Sequence, residues 1–191
     1  MRNLIFEPRK IQTEDIAEKS REKTPDFKLL KDGLLRAYCE VKLPTDGDLF
    51  KIPKDLAMGE IRVEVGKDLA LINLARHVTK AAKQFGRANS DRTHPNILIF
   101  VNHARRKGPA DLAIALQGFP GPDGQPLFPL IEEEKDNEED KWEMQKGVWD
   151  AARTIDLYVW VDPIQRTWNV LRPKSAARLK HACDLLGVAA E

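Results

Sequence analysis

The sequence predicts an α/β (α+β) protein, a mixed central sheet flanked by helices, and three observations carry that expectation. The apolar pattern switches repeatedly between the two-residue period of strands and the 3.6-residue period of helices. Two short apolar runs, Ile97–Val101 and Leu157–Val161, read as strands covered on both faces. The elements do not follow the regular alternation of a doubly wound fold. With 191 residues the chain fits one domain able to bury a core without staples.

From the N-terminus, residues 11–22 read as a short polar helix with Thr13 as its N-cap. Asp26–Leu30 and Leu34–Lys42 read as strands joined at the turn signal Asp32-Gly33. Residues 43–60 hold Pro44, Gly47, Pro53 and Gly59 and read mainly as loop. Ile61–Val65 alternates like a short strand. The longest helix is expected over residues 68–86, where Leu71, Leu74, Ala75, Val78, Ala82 and Phe85 recur at helical spacing. Asn96–Val101 is the next strand, and Pro109 opens a helix that runs to Gln117 and stops at Gly118. Strands at Thr154–Val161 and Thr167–Leu171 flank a turn at Asp162-Pro163. A basic helix, Lys174–Leu186, ends at Gly187.

Composition excludes several classes. No apolar run approaches the roughly 20 residues of a membrane helix, and the run after Met1 is too short for a secretory signal. Two cysteines, Cys39 and Cys183, make neither a disulfide framework nor a zinc set and suit a reducing cytoplasm. No glycine-rich phosphate loop and no Gly-x-Ser-x-Gly elbow occurs. The net charge is only +1, yet it is segregated. Residues 67–110 carry nine Lys/Arg against Asp68 and Asp91, while residues 132–143 carry eight acids against Lys135 and Lys141. A neutral protein can therefore present a face for a polyanion, although solvated helix faces would look the same.

The chemistry gathers in Pro25-Asp26 and Glu40-Val41-Lys42. Alternation along a strand projects Glu40 and Lys42 together, with Cys39 and Val41 on the other face. Two carboxylates on neighbouring strands suit a hard divalent cation, and an ammonium beside them suits an attacking water or developing phosphate charge. Register decides whether Asp26 joins them. An uninterrupted two-residue turn at Asp32-Gly33 pairs Asp26 with Cys39 and sends it to the wrong face. A three-residue turn, Lys31–Gly33, pairs it with Tyr38 and leaves it diagonal to Glu40, about 7–8 Å away. The site requires the longer turn or an equivalent bulge.

In this order of residues the chain resembles the PD-(D/E)xK superfamily, the restriction-endonuclease-like phosphodiesterases. Pro25-Asp26, Glu40-Val41-Lys42, the helix 68–86 and the strand 96–101 carry the resemblance. It implies a nuclease-like core over residues 11–103 and an extension of the same sheet over 104–191. It further implies that Asp26, Glu40 and the carbonyl of Val41 hold Mg²⁺ or Mn²⁺, and that Lys42 positions the attacking water. Gln84, in line with His77 and one turn after Lys80, is the auxiliary helix residue on this reading, and Glu18 or Glu22 would assist from the first helix. Many members place a strand between that helix and the Pro-Asp, for which residues 22–25 leave no room.

The activity implied is metal-dependent hydrolysis of nucleic-acid phosphodiester bonds, DNA before RNA. Arg76, Lys80, Lys83, Arg87, Arg105, Arg106 and Lys107 are the expected phosphate contacts. The alternative is an inactive protein of the same fold that binds nucleic acid or a protein partner. No membrane partner is expected, and a homodimer is admitted. His103, Asp156, Asp162 and the four tryptophans are weaker candidates, each with an ordinary turn, edge or core role available.

Overall fold

The computed structural model describes residues 2–17, 23–44, 69–102, 107–117, 119–120, 126–127, 148–173 and 178–190. A six-stranded mixed sheet forms the centre, with helices against it. Its strands are β1 (Gln12–Asp15), β2 (Phe27–Lys31), β3 (Leu34–Lys42), β4 (Asn96–Val101), β7 (Leu157–Asp162) and β8 (Thr167–Leu171), adjacent in that order. Between β4 and β7 in sequence, β5 (Phe119–Pro120) and β6 (Pro126–Leu127) make a separate two-stranded ladder. β3, β4 and β7 run parallel, whereas β1–β2, β2–β3 and β7–β8 pair antiparallel. The helices are α1 (Arg2–Ile5), α2 (Leu69–Ala88), α3 (Pro109–Gln117) and α4 (Leu179–Leu186). None of the described helices is long and apolar enough to cross a membrane.

Two cores follow from the alternation of side chains along the central strands. On one face, Ala37 and Cys39 of β3 join Ile97, Ile99 and Val101 of β4, with Ile5, Phe6 and the buried side of α4 laid over them. On the other face, Leu98, Phe100, Tyr158 and Trp160 meet the apolar stripe of α2. Leu71, Leu74, Val78, Ala81 and Phe85 on that stripe are almost wholly buried, and each large one contributes about 1.5–3 kcal/mol by leaving water. The β3 residues that share this second face are Tyr38, Glu40 and Lys42.

Residues 12–15 are a strand, not part of a helix as their polarity suggested. Ile11, Ile16 and Ala17 are too few to make a helical apolar stripe. The β2–β3 hairpin leaves the outer edge of β2 unpaired, and β1 supplies its hydrogen bonds in antiparallel register, Thr13 opposite Leu29. Thr13 is therefore a strand residue and caps nothing. β1 lies ahead of Pro25-Asp26 in the chain, where the first helix was expected. The strand expected from Thr154 begins only at Leu157, because Thr154 closes the helical turn at 148–152 through its hydroxyl to the Ala151 carbonyl, 2.7 Å. The last helix begins, among the described residues, at Leu179, and Gly187 ends it at φ +62°. The strand expected at Ile61–Val65 and the acidic run 132–143 lie outside the described residues.

The turn is shorter than the site seemed to need. Asp32 and Gly33 form a two-residue connection, both with positive φ (56° and 73°), which matches the twist of a hairpin. Lys31 then pairs with Leu34 and Leu30 with Leu35, but Leu29 pairs with Ala37, so Arg36 is an extra residue in β3. The bulge restores the parity that the longer turn would have given, and Phe27 stands opposite Cys39.

Asp156 locks the far end of the sheet, before β7. It is fully buried and accepts from the N–H of Asn96 (2.9 Å) and of Arg178 (3.1 Å), and from the Arg92 guanidinium (3.3 Å). Asp156→Ala would strand two backbone donors and a cation, so a loss of about 3–5 kcal/mol is expected in urea denaturation. A change under about 1 kcal/mol would mean that water replaces the carboxylate at this junction.

Candidate active site

Extending the β2–β3 register by one residue sets Asp26 opposite Glu40, on the α2 face. Side chains bind this end of the hairpin together where the backbone ladder stops. The Asp26 N–H donates to Glu40 Oε2, 3.0 Å, and the Val41 N–H donates to Asp26 Oδ2, 2.8 Å. Each acid thus accepts from the main chain of the other's strand. Asp26 Oδ1 takes no hydrogen bond among the described residues.

Tyr38 donates its N–H to the Pro95 carbonyl, 2.9 Å, on the β4 side. Backbone groups alternate sides along a strand, so those of Cys39 and Val41 point toward β2. The ladder ends at Phe27 opposite Cys39, and beyond it the Val41 N–H turns to the Asp26 carboxylate.

Lys42 and Gln84 complete the group. Lys42 Nζ contacts Glu40 Oε1 and also donates to Gln84 Oε1, 3.0 Å. Gln84 in turn donates through Nε2 to the Thr24 carbonyl, 2.8 Å, so α2 is tied to the segment that carries Asp26. Glu40 is only 2% exposed and Gln84 7%, while Lys42 keeps 16% of its side chain in solvent. Burial raises the Glu40 carboxyl above the ordinary carboxylate range and Asp26 adds to the rise, against the opposing pull of Lys42 and Gln84.

Asp26, Glu40, Lys42 and Gln84 therefore converge beside the main chain of Val41. Oδ1 of Asp26 and the Glu40 carboxylate are hard oxygen donors of the kind Mg²⁺ and Mn²⁺ accept, and waters would fill remaining positions. Among the described residues there is no cluster of three or more His, Cys, Asp or Glu. A metal held here would rest on two acids, with water completing its shell.

Arg76, Lys80, Lys83 and Arg87 are all exposed and recur at intervals of four, three and four, forming one stripe of α2 beside the line of His77 and Gln84. Arg87 also donates to the Lys23 carbonyl, 3.2 Å. Lys107 is 5% exposed, set into the protein rather than on an open face. Arg105, Arg106, His103, Glu18 and Glu22 lie outside the described residues. Asp156 belongs to the opposite end of the sheet, and Asp162 caps the β7–β8 turn by accepting from Ile164 and Gln165, both 2.9 Å. Trp160 stacks on Phe100 in the core and Trp168 lies under the Arg9 guanidinium. Thr24 was not legible as a site residue. Its one sequence signal is its place before a proline, which holds it extended with its carbonyl free to accept.

Comparison of the chain with protein-family models, with curated proteins and with solved structures gave no match.

His77, two turns before Gln84 on the same line of α2, is half-buried. Burial and the ammonium groups of Lys42, Lys80 and Lys107 hold its imidazole down to about 4. The unfolded chain takes up this proton as pH falls below about 6.5, whereas the folded chain resists until about 4. His77 thus contributes stability above pH 6.5 that is lost progressively toward pH 4. His77→Gln is expected to flatten the fall of unfolding free energy over that window, and parallel pH profiles for the two proteins would refute it.

Proposed function

We propose that this protein is a metal-dependent phosphodiesterase acting on nucleic acid, DNA before RNA, with a restriction-endonuclease-like core. The observation that carries the reading is the convergence of Asp26, Glu40, Lys42 and Gln84 on one face. The order of elements supports it: a strand before the Pro-Asp, the acid-bearing hairpin, a long helix bearing the glutamine, and a parallel strand beside Glu-x-Lys.

Asp26, Glu40 and the Val41 carbonyl would hold Mg²⁺ or Mn²⁺. When bound, the ion supplies Lewis-acid polarisation of a phosphoryl oxygen and activation of a water. The chain's own residues do the rest. Lys42, held between Glu40 and Gln84, has its ammonium fixed where it can orient a water or neutralise charge developing on the phosphate. Gln84 sets that position without competing for a cation, since its oxygen accepts from Lys42 and its amide is committed to Thr24. The burial of Glu40 excludes bulk water from one side and strengthens every charge interaction there. The exposed stripe Arg76, Lys80, Lys83 and Arg87 would track the phosphate backbone.

The test is cleavage of plasmid and of single-stranded DNA and RNA with Mg²⁺ or Mn²⁺, against the same reactions in EDTA. Glu40→Ala, Asp26→Asn and Lys42→Ala should each lower the rate on the order of a hundredfold or more, and Gln84→Ala less. Mn²⁺ should raise the melting temperature of the native protein but not of Asp26→Asn. Cleavage that persists in Glu40→Ala or Lys42→Ala would assign the activity elsewhere. A second reading, a protein of this fold that binds nucleic acid without cutting it, draws on the basic stripe of α2, which needs no metal. Salt-dependent, metal-independent binding with no cleavage would favour it.

A further inference from the structure

The cluster round Lys42 contains one polar atom that nothing in it uses. Among the described residues, two buried side-chain atoms make no hydrogen bond, Arg92 Nε and Thr24 Oγ1. Arg92 belongs to the Asp156 junction, where its guanidinium already has an acid. Thr24 is different, because its main chain is tied into the cluster. Its carbonyl accepts from Gln84 Nε2 at 2.8 Å, and Gln84 Oε1 accepts from Lys42 Nζ at 3.0 Å. A single amide group therefore stands between Thr24 and the ammonium, and Pro25 alone separates Thr24 from Asp26. Thr24 as a residue is half-buried, yet its hydroxyl oxygen is shielded from solvent. The polar end of the side chain is turned inward, where a hydroxyl without a partner is costly and a valine of the same shape would be cheaper.

The need for such a hydroxyl comes from Glu40. Both of its oxygens are spent, Oε1 on Lys42 Nζ and Oε2 on the Asp26 N–H, and Asp26 Oδ2 is spent on the Val41 N–H. A divalent cation shared by the two acids would find Asp26 Oδ1 open but would meet an ammonium at Glu40. Two cations on one carboxylate oxygen repel each other. With Oε1 given to the divalent ion, Lys42 needs a second acceptor to stay beside Gln84. Its side chain is only 16% exposed, so bulk water is a poor replacement. A threonine hydroxyl has lone pairs to give and adds no charge. We propose that Thr24 is a positioning residue, whose hydroxyl accepts the Lys42 ammonium when Glu40 turns to a divalent cation. Lys42 is then held between Thr24 and Gln84 in the loaded site. This role rests on the metal site that the phosphodiesterase reading assigns to Asp26 and Glu40. It is the reverse of a structural hydrogen bond: idle in the metal-free protein, made in the loaded one.

The test compares the full chain with Thr24→Val, which keeps the shape and loses the hydroxyl, and with Thr24→Ser, which keeps the hydroxyl. In EDTA, Thr24→Val is expected to melt no lower than the native protein, since no bond is lost. With Mn²⁺ added, the rise in melting temperature should require roughly tenfold more metal in Thr24→Val, the scale of one hydrogen bond to a charged group. Thr24→Ser should restore the native response. With Mg²⁺ instead, the ¹⁵N signal of the Lys42 ammonium, assigned through Lys42→Arg, should move in the native protein and in Thr24→Ser but not to the same position in Thr24→Val. If Thr24→Val melts below both other proteins in EDTA, the hydroxyl is already bonded and the proposed role is overturned. A native Mn²⁺ response in Thr24→Val overturns it as well, and leaves the phosphodiesterase reading intact if cleavage continues. A Mn²⁺ response that depends on the hydroxyl, with no cleavage of nucleic acid, would remove the phosphodiesterase reading and leave the role of Thr24. A native protein that cuts nucleic acid but shows no Mn²⁺ response would overturn the role and place the metal elsewhere.

Discussion

The registration of β2 against β3 decides what this protein can do, because one residue of slip exchanges the two faces of a strand. Two local devices set it. The left-handed pair Asp32-Gly33 closes the hairpin in two residues, and Arg36 then adds one residue to β3 alone. Without Arg36 the same turn would bring Asp26 opposite Cys39 and aim its carboxylate into the apolar layer under α1 and α4. With it, Asp26 faces Glu40: the Asp26 N–H donates to the Glu40 carboxylate, and the Asp26 carboxylate accepts from the Val41 N–H. The bulge also lets the hairpin satisfy both ends at once: the tight turn follows the sheet's twist, and the open end keeps its polar groups on the side of α2.

Once the register is set, the placement of the other residues follows from ordinary periodicities. Glu40 and Lys42 share a face because they are two apart in a strand, and β4 runs parallel beside them, so the end of β3 lies level with Phe100. The α2 stripe that buries Val78, Ala81 and Phe85 has at its border the line of His77 and Gln84, and beyond that line the basic stripe exposed to solvent. A single helix thus presents three chemistries in angular succession: hydrocarbon toward the sheet, amide and imidazole toward the strand ends, and cations toward water.

The parts of this arrangement that were legible in the sequence are those governed by local pattern. The boundaries of β4, α3 and β8 follow from an apolar run, a leading proline and strand alternation, and the Glu-x-Lys face follows from parity alone. What escaped was non-local. β1 carries almost no pattern of its own and is a strand because β2 offers an unpaired edge. The bulge at Arg36 leaves no signature in Leu-Leu-Arg-Ala, since any of several residues there could be the extra one. Only the demand that Asp26 reach Glu40 made a bulge or a longer turn necessary, and the shorter turn was excluded only without a bulge. Lys107 looked like one more member of a solvated basic run, because a charge pattern does not record the packing that leaves it 5% exposed.

The Glu40–Lys42 pair is best understood from its energetics. A carboxylate that is 2% exposed loses several kcal/mol of hydration, and its attraction to one ammonium and two hydrogen bonds returns only part of that. The direction of its titration says the same: burial outweighs the partners, and the proton is held more tightly than in water. Well-packed apolar residues at positions 40, 42 and 84 would fill the same space without that penalty. The cluster is therefore a poor device for holding β3 to α2, whose neighbouring contacts are already apolar. It is a good device for holding a carboxylate, an ammonium and an amide in fixed relation where water is scarce, because each group's rotamer is set by the next through Glu40, Lys42, Gln84 and the Thr24 carbonyl. A divalent cation at Asp26 and Glu40 would supply the positive charge that Lys42 alone leaves in deficit, lowering the cost of the buried carboxylate. The strain that makes this corner a weak contributor to stability is the same property that would make it bind a cation.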